Sequence, residues 1–477
     1  FDGQVLYEDL NFDLPRGGIV GVIGANGAGK TTLFKLITGQ LKPLAGEFKV
    51  GETVKLSYVD QTRSELKADE TVYEAITGGG EFVNLAGTTM MNGRAYCSRF
   101  NFRGAEQQKK VGVLSGGERG RVALAKLLLS DANLLLLDEP SNYLDLPAVE
   151  WLQKYLKQYQ GTLMLISHDR YLLKTLTDII VEVDAETVTR YEGDLDWYLH
   201  EREVRYEHLK AAKENQDHHR EQLQRFVDRF RATASKAAQA QSRQKLIDKI
   251  DEQRIILPKR YTNSGRLRLA EPPPSGVEMF RCNNLAFSYD GVKKVFSGLE
   301  FNVIRGDKVA VIGYNGLGKT TLMRIMAGTR QPTEGEAIIG HNVIPGYLSQ
   351  EFAETIPPDL TVYRVAKNAW DARGGGPEKI FRNQLGAFGF DENDVEKPSG
   401  VLSGGEKIRL AFLRLFISSP NFLLLDEPTT HLDLDGRRLL EDALKKYSGT
   451  VFLVSHDIDF VRSVATSVLE ITREGIR

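Results

Sequence analysis

The chain has 477 residues, a length that predicts about three domains, or two larger domains and a connector. Its 41% hydrophobic and 26% charged residues exclude the disordered, collagenous and coiled-coil classes, and no apolar run approaches the roughly 18 residues needed to span a bilayer, which excludes a channel or a complete transporter. The formal charge of −2 gives no whole-chain argument for a nucleic-acid partner.

The two cysteines, Cys97 and Cys282, lie too far apart in sequence for a disulfide scaffold, a zinc ribbon or a cysteine-ligated cluster. They are typical of apolar side chains in a reducing cytosol. The chain starts at Phe1 without a methionine or a signal peptide, so we expect a piece of a cytoplasmic protein.

A phosphate-binding loop is predicted at residues 24–31, Gly-Ala-Asn-Gly-Ala-Gly-Lys-Thr. An apolar strand pattern precedes it and a helix pattern follows it, which is the order that such a loop requires. Its glycines allow backbone N–H groups to surround the phosphates, while Lys30 would reach the β- and γ-phosphates and Thr31 would ligate Mg²⁺. The nucleotide-binding residues predicted here are Gly24, Asn26, Gly27, Gly29, Lys30, Thr31 and Thr32.

Acidic and imidazole side chains follow apolar runs further along the chain. The run 134–137 predicts a central parallel strand covered on both faces, and it delivers Asp138 and Glu139 to its carboxyl end. Asp138 suits the surroundings of Mg²⁺, and Glu139 suits deprotonation of an attacking water. A second run, 163–166, comes just before His168, for which we predict a contact with the γ-phosphate.

Residues 201 to about 259 predict a helical connector, because they are rich in helix-forming residues and contain no proline before Pro258. An apolar stripe at helical spacing runs over 223–230, is interrupted over 234–241 and resumes over 246–250. We therefore expect two antiparallel helices of about 25 to 30 residues.

The motifs of the first part of the chain recur in its last part, at offsets of 288 or 289 residues. Each copy spans about 200 residues and should be a whole domain. The predicted domains are residues 1–200, a linker at 201–275 and residues 276–477. The second copy supplies Gly313, Asn315, Gly316, Gly318, Lys319, Thr320 and Thr321 to phosphate binding, and it repeats the strand-end groups as Asp426, Glu427 and His456.

The pentapeptide Leu-Ser-Gly-Gly-Glu occurs at 114–118 and again at 402–406. With the two loops and the Ser-His-Asp tripeptides at 167–169 and 455–457, it resembles the signature of ATP-binding-cassette ATPases over both copies. The resemblance implies an α/β fold of two P-loop NTPase cassettes that hydrolyse ATP with Mg²⁺. It also implies that the signature segment of one cassette caps the ATP held by the other.

Two composite sites follow from this resemblance. The loop, glutamate and histidine of the first cassette would join Ser403, Gly404 and Gly405, and those of the second would join Ser115, Gly116 and Gly117. The resemblance assigns catalysis to Glu139, Glu427, His168 and His456, Mg²⁺ ligation to Thr31, Gln61, Asp138, Thr320, Gln350 and Asp426, and adenine stacking to Phe1 and Tyr289. Because neither cassette lacks its lysine, glutamate or histidine, we expect two hydrolytic sites.

Positive charge is concentrated in the linker. Residues 224–249 contain seven bases and two acids, a net charge of +5 that leaves −7 for the rest of the chain. A basic segment on an acidic body points to a phosphate-rich partner. The predicted RNA contacts are Arg225, Arg229, Arg231, Lys236, Arg243 and Lys245.

The segment from Phe226 to Arg243 resembles the linker that reaches peptidyl-tRNA in ABC-F translation factors, which are paired cassettes joined by a helical hairpin. Asn-Tyr-Leu-Asp at 142–145 and Thr-His-Leu-Asp at 430–433 are also similar to that group. The resemblance implies a cytoplasmic monomer that pairs its own cassettes on two ATP, binds ribosomal RNA and tRNA, and regulates translation. Two alternatives remain: an ABC-F protein that protects the ribosome from antibiotics, and the fused ATPase subunit of a membrane transporter.

Two features depart from the simplest ABC-F pattern. The interval from Gln61 to Leu114 is 53 residues and that from Gln350 to Leu402 is 52, so we expect no extra arm hairpin in the first cassette. In that cassette, residues 94–102 and 107–112 resemble the second cassette of the ABC-F group called energy-dependent translational throttles.

Overall fold

The computed structural model describes residues 6, 10, 13–25, 27–58, 66–85, 89–184, 187–230, 236–255, 257, 267, 269–289, 291, 294–314, 316–350, 355–392, 394–402, 404–430, 432–472 and 475–476. These residues form two α/β cassettes with a pair of helices between them in sequence. The predicted α/β class with a helical linker is confirmed.

The first cassette is built on one twisted sheet. Its strands are β1 (Ile19–Gly24), β2 (Leu56–Tyr58), β3 (Phe82–Leu85), β4 (Thr89–Asn92), β5 (Leu134–Asp138), β6 (Thr162–Ile166), β7 (Ile179–Asp184) and β8 (Thr187–Glu192). Its helices are α1 (Lys30–Ile37), α2 (Val72–Thr77), α3 (Gly93–Arg99), α4 (Gly116–Leu128), α5 (Leu146–Gln158) and α6 (Arg170–Leu176). The sheet order is β2-β5-β6-β1-β7-β8, parallel except for β8, and β3 and β4 form a separate hairpin.

The second cassette repeats this sheet. Its strands are β9 (Glu278–Ser288), β10 (Lys294–Ile304), β11 (Lys308–Gly313), β12 (Glu334–Ile339), β13 (Pro345–Leu348), β14 (Phe422–Asp426), β15 (Thr450–Val454), β16 (Ser467–Thr472) and β17 (Gly475–Ile476). The order β13-β14-β15-β11-β16-β17 matches the first sheet strand for strand, and β10-β9-β12 form an antiparallel sheet beside it. The helices are α9 (Lys319–Met326), α10 (Val362–Ala372), α11 (Glu378–Ala387), α12 (Gly404–Ile417), α13 (Leu434–Lys446) and α14 (Ile458–Val464).

Strand β5 is covered on both faces, as its continuous apolar run predicts. Leu135 and Leu137 pack into one buried cluster, while Leu134 and Leu136 pack into another on the opposite face. Because β1, β5 and β6 are parallel, their carboxyl ends meet at one edge of the sheet, where open α/β sheets place their ligands. This edge receives the phosphate loop and the polar groups at the strand ends.

The linker consists of two helices of unequal length, α7 (Leu195–Phe230) with 36 residues and α8 (Ala237–Glu252) with 16. The expectation of two helices of about 25 to 30 residues was therefore wrong. The first helix begins earlier because the Asp194 carboxylate accepts a hydrogen bond from the Trp197 N–H at 2.8 Å, which starts the helix ahead of the apolar stripe. Arg231 lies outside the described residues.

The linker helices are antiparallel and share a small core. Leu223, Val227 and Ile247 are buried against one another. The Arg220 guanidinium donates to the Asp251 carboxylate at 2.6 and 3.0 Å, which fixes the register of the two helices. Within the described residues, no helix is long and apolar enough to cross a membrane.

The hairpin of β3 and β4 lies in the interval between Gln61 and Leu114 and was not predicted. The hairpin lies between α2 and α3, and in the second cassette the longer helix α10 is followed directly by α11. The two intervals have nearly the same length, so the hairpin adds no extra arm.

Replacing Ile247 with alanine should loosen the linker without unfolding the cassettes. Ile247 is 1% exposed in a core of very few side chains, so its truncation should cost about 2 kcal/mol or more, equivalent to roughly a thirtyfold loss of amide protection. Hydrogen exchange over 216–252 measures this. The neighbouring Leu246, 47% exposed, provides the matched control, and an equal loss of protection in Leu246→Ala would contradict the packing described here.

Candidate nucleotide site between the cassettes

Both phosphate loops join a strand to a helix, and glycine is required at specific points of each. Gly29 and Gly318 immediately precede α1 and α9 with φ of +99° and +83°, in the left-handed region that favours glycine. A Cβ at Gly24 would lie 2.1 Å from the Val183 carbonyl oxygen on the adjacent strand. Of the other predicted residues, Gly27 and Gly316 lie in the loops, Gly313 ends β11, and Thr32 and Thr321 lie in the first turns of α1 and α9, while Asn26 and Asn315 are outside the described residues.

The loop lysines are held inside their loops. Lys30 Nζ donates to the carbonyl oxygens of Gly24 and Ala25 at 2.8 and 2.9 Å, and Lys319 Nζ makes the equivalent pair of bonds at 2.7 and 3.0 Å. Burial lowers the pKa of both lysines, and nearby carboxylates oppose this effect. Those carboxylates are Glu139, Asp433 and Asp138 around Lys30, and Glu427, Asp145 and Asp426 around Lys319.

Asp433 and Asp145 each belong to the opposite cassette from the lysine that they face. Both begin a helix as its N-cap: Asp145 accepts from the Ala148 N–H at 3.2 Å, and Asp433 accepts from the Gly436 N–H at 2.8 Å. Neither residue was predicted to have a role. Their recurrence at the same offset as the glutamates was the signal that could have identified them.

A hydroxyl–carboxylate pair lies beside each loop lysine. Thr31 Oγ1 donates to Asp138 Oδ2 at 2.9 Å, and Thr320 is hydrogen-bonded to Asp426. Burial raises the pKa of Asp426 to about 6, and its Oδ2 is buried without a hydrogen bond from any described residue. Such a pair fits Mg²⁺, which takes oxygen ligands and would compensate a buried carboxylate.

Glu139 and Glu427 both have a strained backbone conformation. Both have φ of +48°, a conformation that costs energy in any residue other than glycine and that occurs at functional sites. Glu139 Oε1 lies 3.5 Å from His168 Nε2, and the equivalent atoms of Glu427 and His456 are 3.3 Å apart. The strain is the same in both copies, so the backbone aims both carboxylates in the same way.

Burial sets the protonation of these groups. It raises the pKa of Glu139 to about 7, against the opposing charges of Arg437 and Lys30, and it likewise raises the pKa of Glu427. Burial lowers the pKa of His456 to about 4 and that of His168 well below 6.5, so both imidazoles are neutral near pH 7. Each site thus pairs a neutral histidine with a carboxyl group whose pKa is about 7. A pKa in this range is expected of a general base.

One large cavity, of about 1420 Å³, lies between the cassettes. The second cassette lines it with Lys319, Thr320, Gln350, Glu427 and His456, and the first lines it with Ser115 and Gly117 of the signature segment. Tyr289 also lines it, 63% exposed, with its hydroxyl 2.8 Å from Thr321 Oγ1. The structure therefore brings together the parts of one predicted composite site.

The signature segment presents a helix N-terminus to this cavity. Ser115 caps α4, with its hydroxyl accepting from the Glu118 N–H at 3.3 Å and its own N–H donating to the Glu118 carboxylate at 2.8 Å. Gly116 begins the helix, whose free N–H groups and dipole favour an anion.

The other composite site is only partly described. Phe1, Gln61 and Ser403 lie outside the described residues, and Gly404 and Gly405 form the start of α12. What the structure does place at the first loop is Asp433 of the second cassette, close enough to Lys30 to affect its pKa.

Arg437, also missed by the sequence analysis, lies between the two sites. Its guanidinium donates to Asp457 Oδ2 at 2.6 Å and lowers the pKa of both Glu139 and Glu427. The first copy has Val149 at the corresponding position, so the repeat provided no signal for this residue.

The predicted RNA-contacting bases lie on the linker, and several of them stack on its aromatic rings. Arg243 lies 3.3 Å above the Phe226 ring, and Lys236 lies 4.0 Å above that of Phe230, with Arg229 at 5.4 Å from the same ring. Two further bases, Arg225 and Lys245, are exposed, and Arg225 is paired with Glu221 at 3.0 Å.

Replacing both Glu139 and Glu427 with glutamine should stabilise the nucleotide-free protein above pH 7. The folded state retains a proton on Glu139 that the unfolded state releases, because its pKa is raised from 4.5 to about 7. Wild type therefore loses up to about 3 kcal/mol at that carboxyl as the pH rises between these values, whereas glutamine loses nothing. Denaturant unfolding at pH 5 and pH 8 measures this difference.

The variant should gain stability over wild type at pH 8 relative to pH 5. Glu150→Gln, at an exposed position on α5, is the control and should show no such pH dependence. The same stability difference at both pH values would refute the effect of burial.

The chain is similar to known ATP-binding-cassette proteins. A family model described as ABC transporter matches residues 7–142 and 296–430, and a second model with that description matches 181–266. The Bacillus subtilis ATP-binding protein YdiF is 34% identical over 514 residues, covering 100% of this chain and 79% of its own. ABC transporter F family member 5 of Arabidopsis thaliana is 32% identical over 513 residues, covering 99% of this chain and 73% of its own.

Among solved structures, the archaeal ribosome recycling factor aABCE1, in complex with the ribosomal stalk protein aP1, matches with a TM-score of 0.62 and 22% identity over 96% of this chain and 84% of its own. That likeness shows a shared tandem-cassette fold. Together with the family matches and the relatives above, it leads to one conclusion: the chain belongs to the ABC-F family of ATP-binding-cassette ATPases.

Proposed function

We propose that this ATPase closes its two cassettes on ATP, acts on the ribosome through its linker, and regulates translation. The observation that carries the proposal is the cavity between the cassettes, because the loop, glutamate and histidine of one cassette and the signature helix of the other line the same space. ATP filling this space would be held from both sides, so its binding and hydrolysis would be coupled to closure and opening.

The residues of each site suit defined steps. Lys319 and the N–H groups at the start of α9 would hold the phosphates, and Tyr289 would stack on adenine. Thr320, Gln350 and Asp426 would hold Mg²⁺, which neutralises charge on the phosphates when bound. The Glu427 carboxylate would accept the proton of the attacking water, and neutral His456 would donate a hydrogen bond to the γ-phosphate. The first cassette offers Lys30, Thr31, Asp138, Glu139 and His168 for the same steps.

The linker supports a ribosomal partner. Its net charge of +5 over residues 224–249 is suited to phosphate groups of RNA, and its helices are held in one register by the Arg220–Asp251 pair. The related fold of a ribosome recycling factor supports the same partner class. We infer that rRNA and tRNA contact the tip of the linker, the basic residues 224–249. We also infer that the protein works as a monomer in the cytoplasm.

Two other functions share the same cassettes. Ribosome protection against antibiotics uses every feature above, and growth of expressing cells on ribosome-targeting drugs tests it. A transporter ATPase would need a separate membrane subunit, with which it should co-purify. The concentration of charge on the linker favours the ribosomal proposal over the transporter.

The double variant Glu139→Gln, Glu427→Gln should bind ATP but hydrolyse it at least a hundredfold more slowly, since the general base is lost at both sites. It should then remain closed and co-sediment with ribosomes in ATP, and it should inhibit translation in a cell-free system. The comparison is with Lys30→Ala, Lys319→Ala in the same background, which should do neither. If the double glutamine variant neither co-sediments nor inhibits, the ribosomal function is wrong.

A linker variant separates the partner from the chemistry. Neutralising three exposed bases, Arg225, Arg229 and Lys245, with glutamine should weaken ribosome co-sedimentation and flatten its salt dependence, because fewer counterions are released. The basal ATPase rate should be unchanged. The matched control neutralises three exposed lysines of the cassettes, Lys42, Lys379 and Lys446, and should bind like wild type. Equal losses in both triple variants would point to non-specific charge attraction.

A further inference from the structure

The base of the linker is joined to both cassettes by one arginine. Arg202, in the third turn of α7, donates from Nε to Glu182 Oε1 at 2.8 Å. Its Nη1 and Nη2 donate to the two carboxylate oxygens of Asp435 at 3.0 and 2.8 Å. Glu182 belongs to β7 of the first cassette and Asp435 to α13 of the second, so a single guanidinium bridges linker, first cassette and second cassette.

The first-cassette side of this bridge is fixed. Glu182 is 9% exposed and also accepts hydrogen bonds from the hydroxyls of Tyr191 at 3.0 Å and Tyr198 at 2.8 Å. Tyr198 lies one turn before Arg202 on α7 and is itself buried. The carboxylate thus accepts from three donors, and α7 cannot turn or slide at its base without breaking the bonds from Tyr198 and Arg202.

The second-cassette side leads directly to the first ATP site. Asp435 lies two residues after Asp433, the carboxylate that faces Lys30 across the interface. A small cavity is lined by Arg202, Asp433 and Asp435 together with Gly24 of the phosphate loop and His168. A displacement of Asp435 therefore moves the start of α13 at the point where it meets this loop.

Helix α7 connects Arg202 to the distant tip of the linker. Arg202 and Phe230 are 28 residues apart on one continuous helix, a distance of roughly 42 Å. The basic tip lies at the far end. A force on the tip would be transmitted along the helix to its base, where Arg202 makes a bidentate carboxylate contact with the second cassette.

We propose that Arg202 is a positioning residue that links the orientation of the linker to closure of the first-cassette ATP site. The link is specific to that site. The counterpart of Asp435 in the first copy is Pro147, which cannot accept a hydrogen bond through its side chain, so the duplication does not reproduce the bridge at the second site. A partner that tilts α7 would in this way change ATP affinity at one site and leave the other unaffected.

Distances between two labels on introduced cysteines test this proposal in the hydrolysis-deficient background Glu139→Gln, Glu427→Gln. One pair of introduced cysteines spans the first-cassette site and another pair spans the second, and the native Cys97 and Cys282 are buried, which favours labelling of the new thiols. ATP is titrated into the protein without ribosomes, and the shortening of the distance between the two labels of each pair is measured. Asp435→Asn and Arg202→Ala should each raise the ATP concentration for closing the first pair about tenfold, since a charged hydrogen-bonded contact is lost, and leave the second pair unchanged.

Arg205→Ala is the matched control. Arg205 lies on the same helix and contacts Tyr191 of the first cassette at 3.1 Å, so its removal perturbs the base of α7 without touching Asp435. It should shift neither pair, whereas Arg202→Lys, which cannot span both carboxylates, should give part of the effect. An equal shift of both pairs, no shift in Arg202→Ala, or the same shift in Arg205→Ala would overturn the proposal.

Ribosomes extend the test to the proposed function, on which this inference rests for closure on ATP and for the identity of the partner at the linker tip. In the parent they should change the ATP midpoint of the first pair, and this change should disappear in Asp435→Asn. If ribosomes have no effect on the parent while the free-protein shifts occur as expected, the ribosomal function fails and the bridge stands. If ribosomes change the ATP midpoint of the first pair by the same amount in Asp435→Asn, the Arg202–Asp435 bridge does not transmit their effect.

Discussion

The structure depends on one electrostatic constraint: each phosphate loop buries a lysine whose charge must be balanced. At each lysine, the glutamate at the end of a strand of the same cassette contributes most to that balance, and a carboxylate of the other cassette comes next, ahead of the strand-end aspartate. Neither site is electrostatically complete alone. Since Asp145 and Asp433 also start helices of their own cassettes, any movement of one cassette shifts charge at the lysine of the other.

The same burial explains the chemistry at the glutamates. A carboxyl with a pKa near 7 is a poor ion-pair partner but a well-matched proton acceptor. The left-handed backbone at Glu139 shows that the position of this carboxyl is maintained against a conformational cost. Bound phosphates and Mg²⁺ would change the field at this carboxyl, so its proton affinity depends on what the loop holds. Stability is thus lost at the glutamates to which we assign the reaction, as is usual when a charged group is buried for function.

Most of the fold and much of the site could be predicted because their determinants are local. The strand before Lys30, the loop glycines and the apolar run before Glu139 are each contained in a short segment, and the duplication confirmed them by repeating them. Contacts between distant segments that the repeat does not reproduce gave no such signal. Arg202 and Asp435 are 233 positions apart and Arg437 has no counterpart in the first copy. The start of α7 was misplaced because it depends on the Asp194 cap and not on the apolar stripe.

These unrepeated contacts give the molecule its asymmetry. The groups that would bind and hydrolyse ATP occur twice. Among the described residues, two ion pairs that reach the second cassette are not repeated: Arg202 with Asp435, and Arg170 with Glu441 at 3.0 Å. Ile458 stands where a second copy of Arg170 would be, and Gln153 where a second copy of Glu441 would be. Both pairs reach α13, which begins beside the first loop. Because the two sites share the same ATP-binding groups but not the same ion pairs, they should respond differently to the same motion. A partner acting through the linker would therefore act first on the first-cassette site, beside which α13 begins.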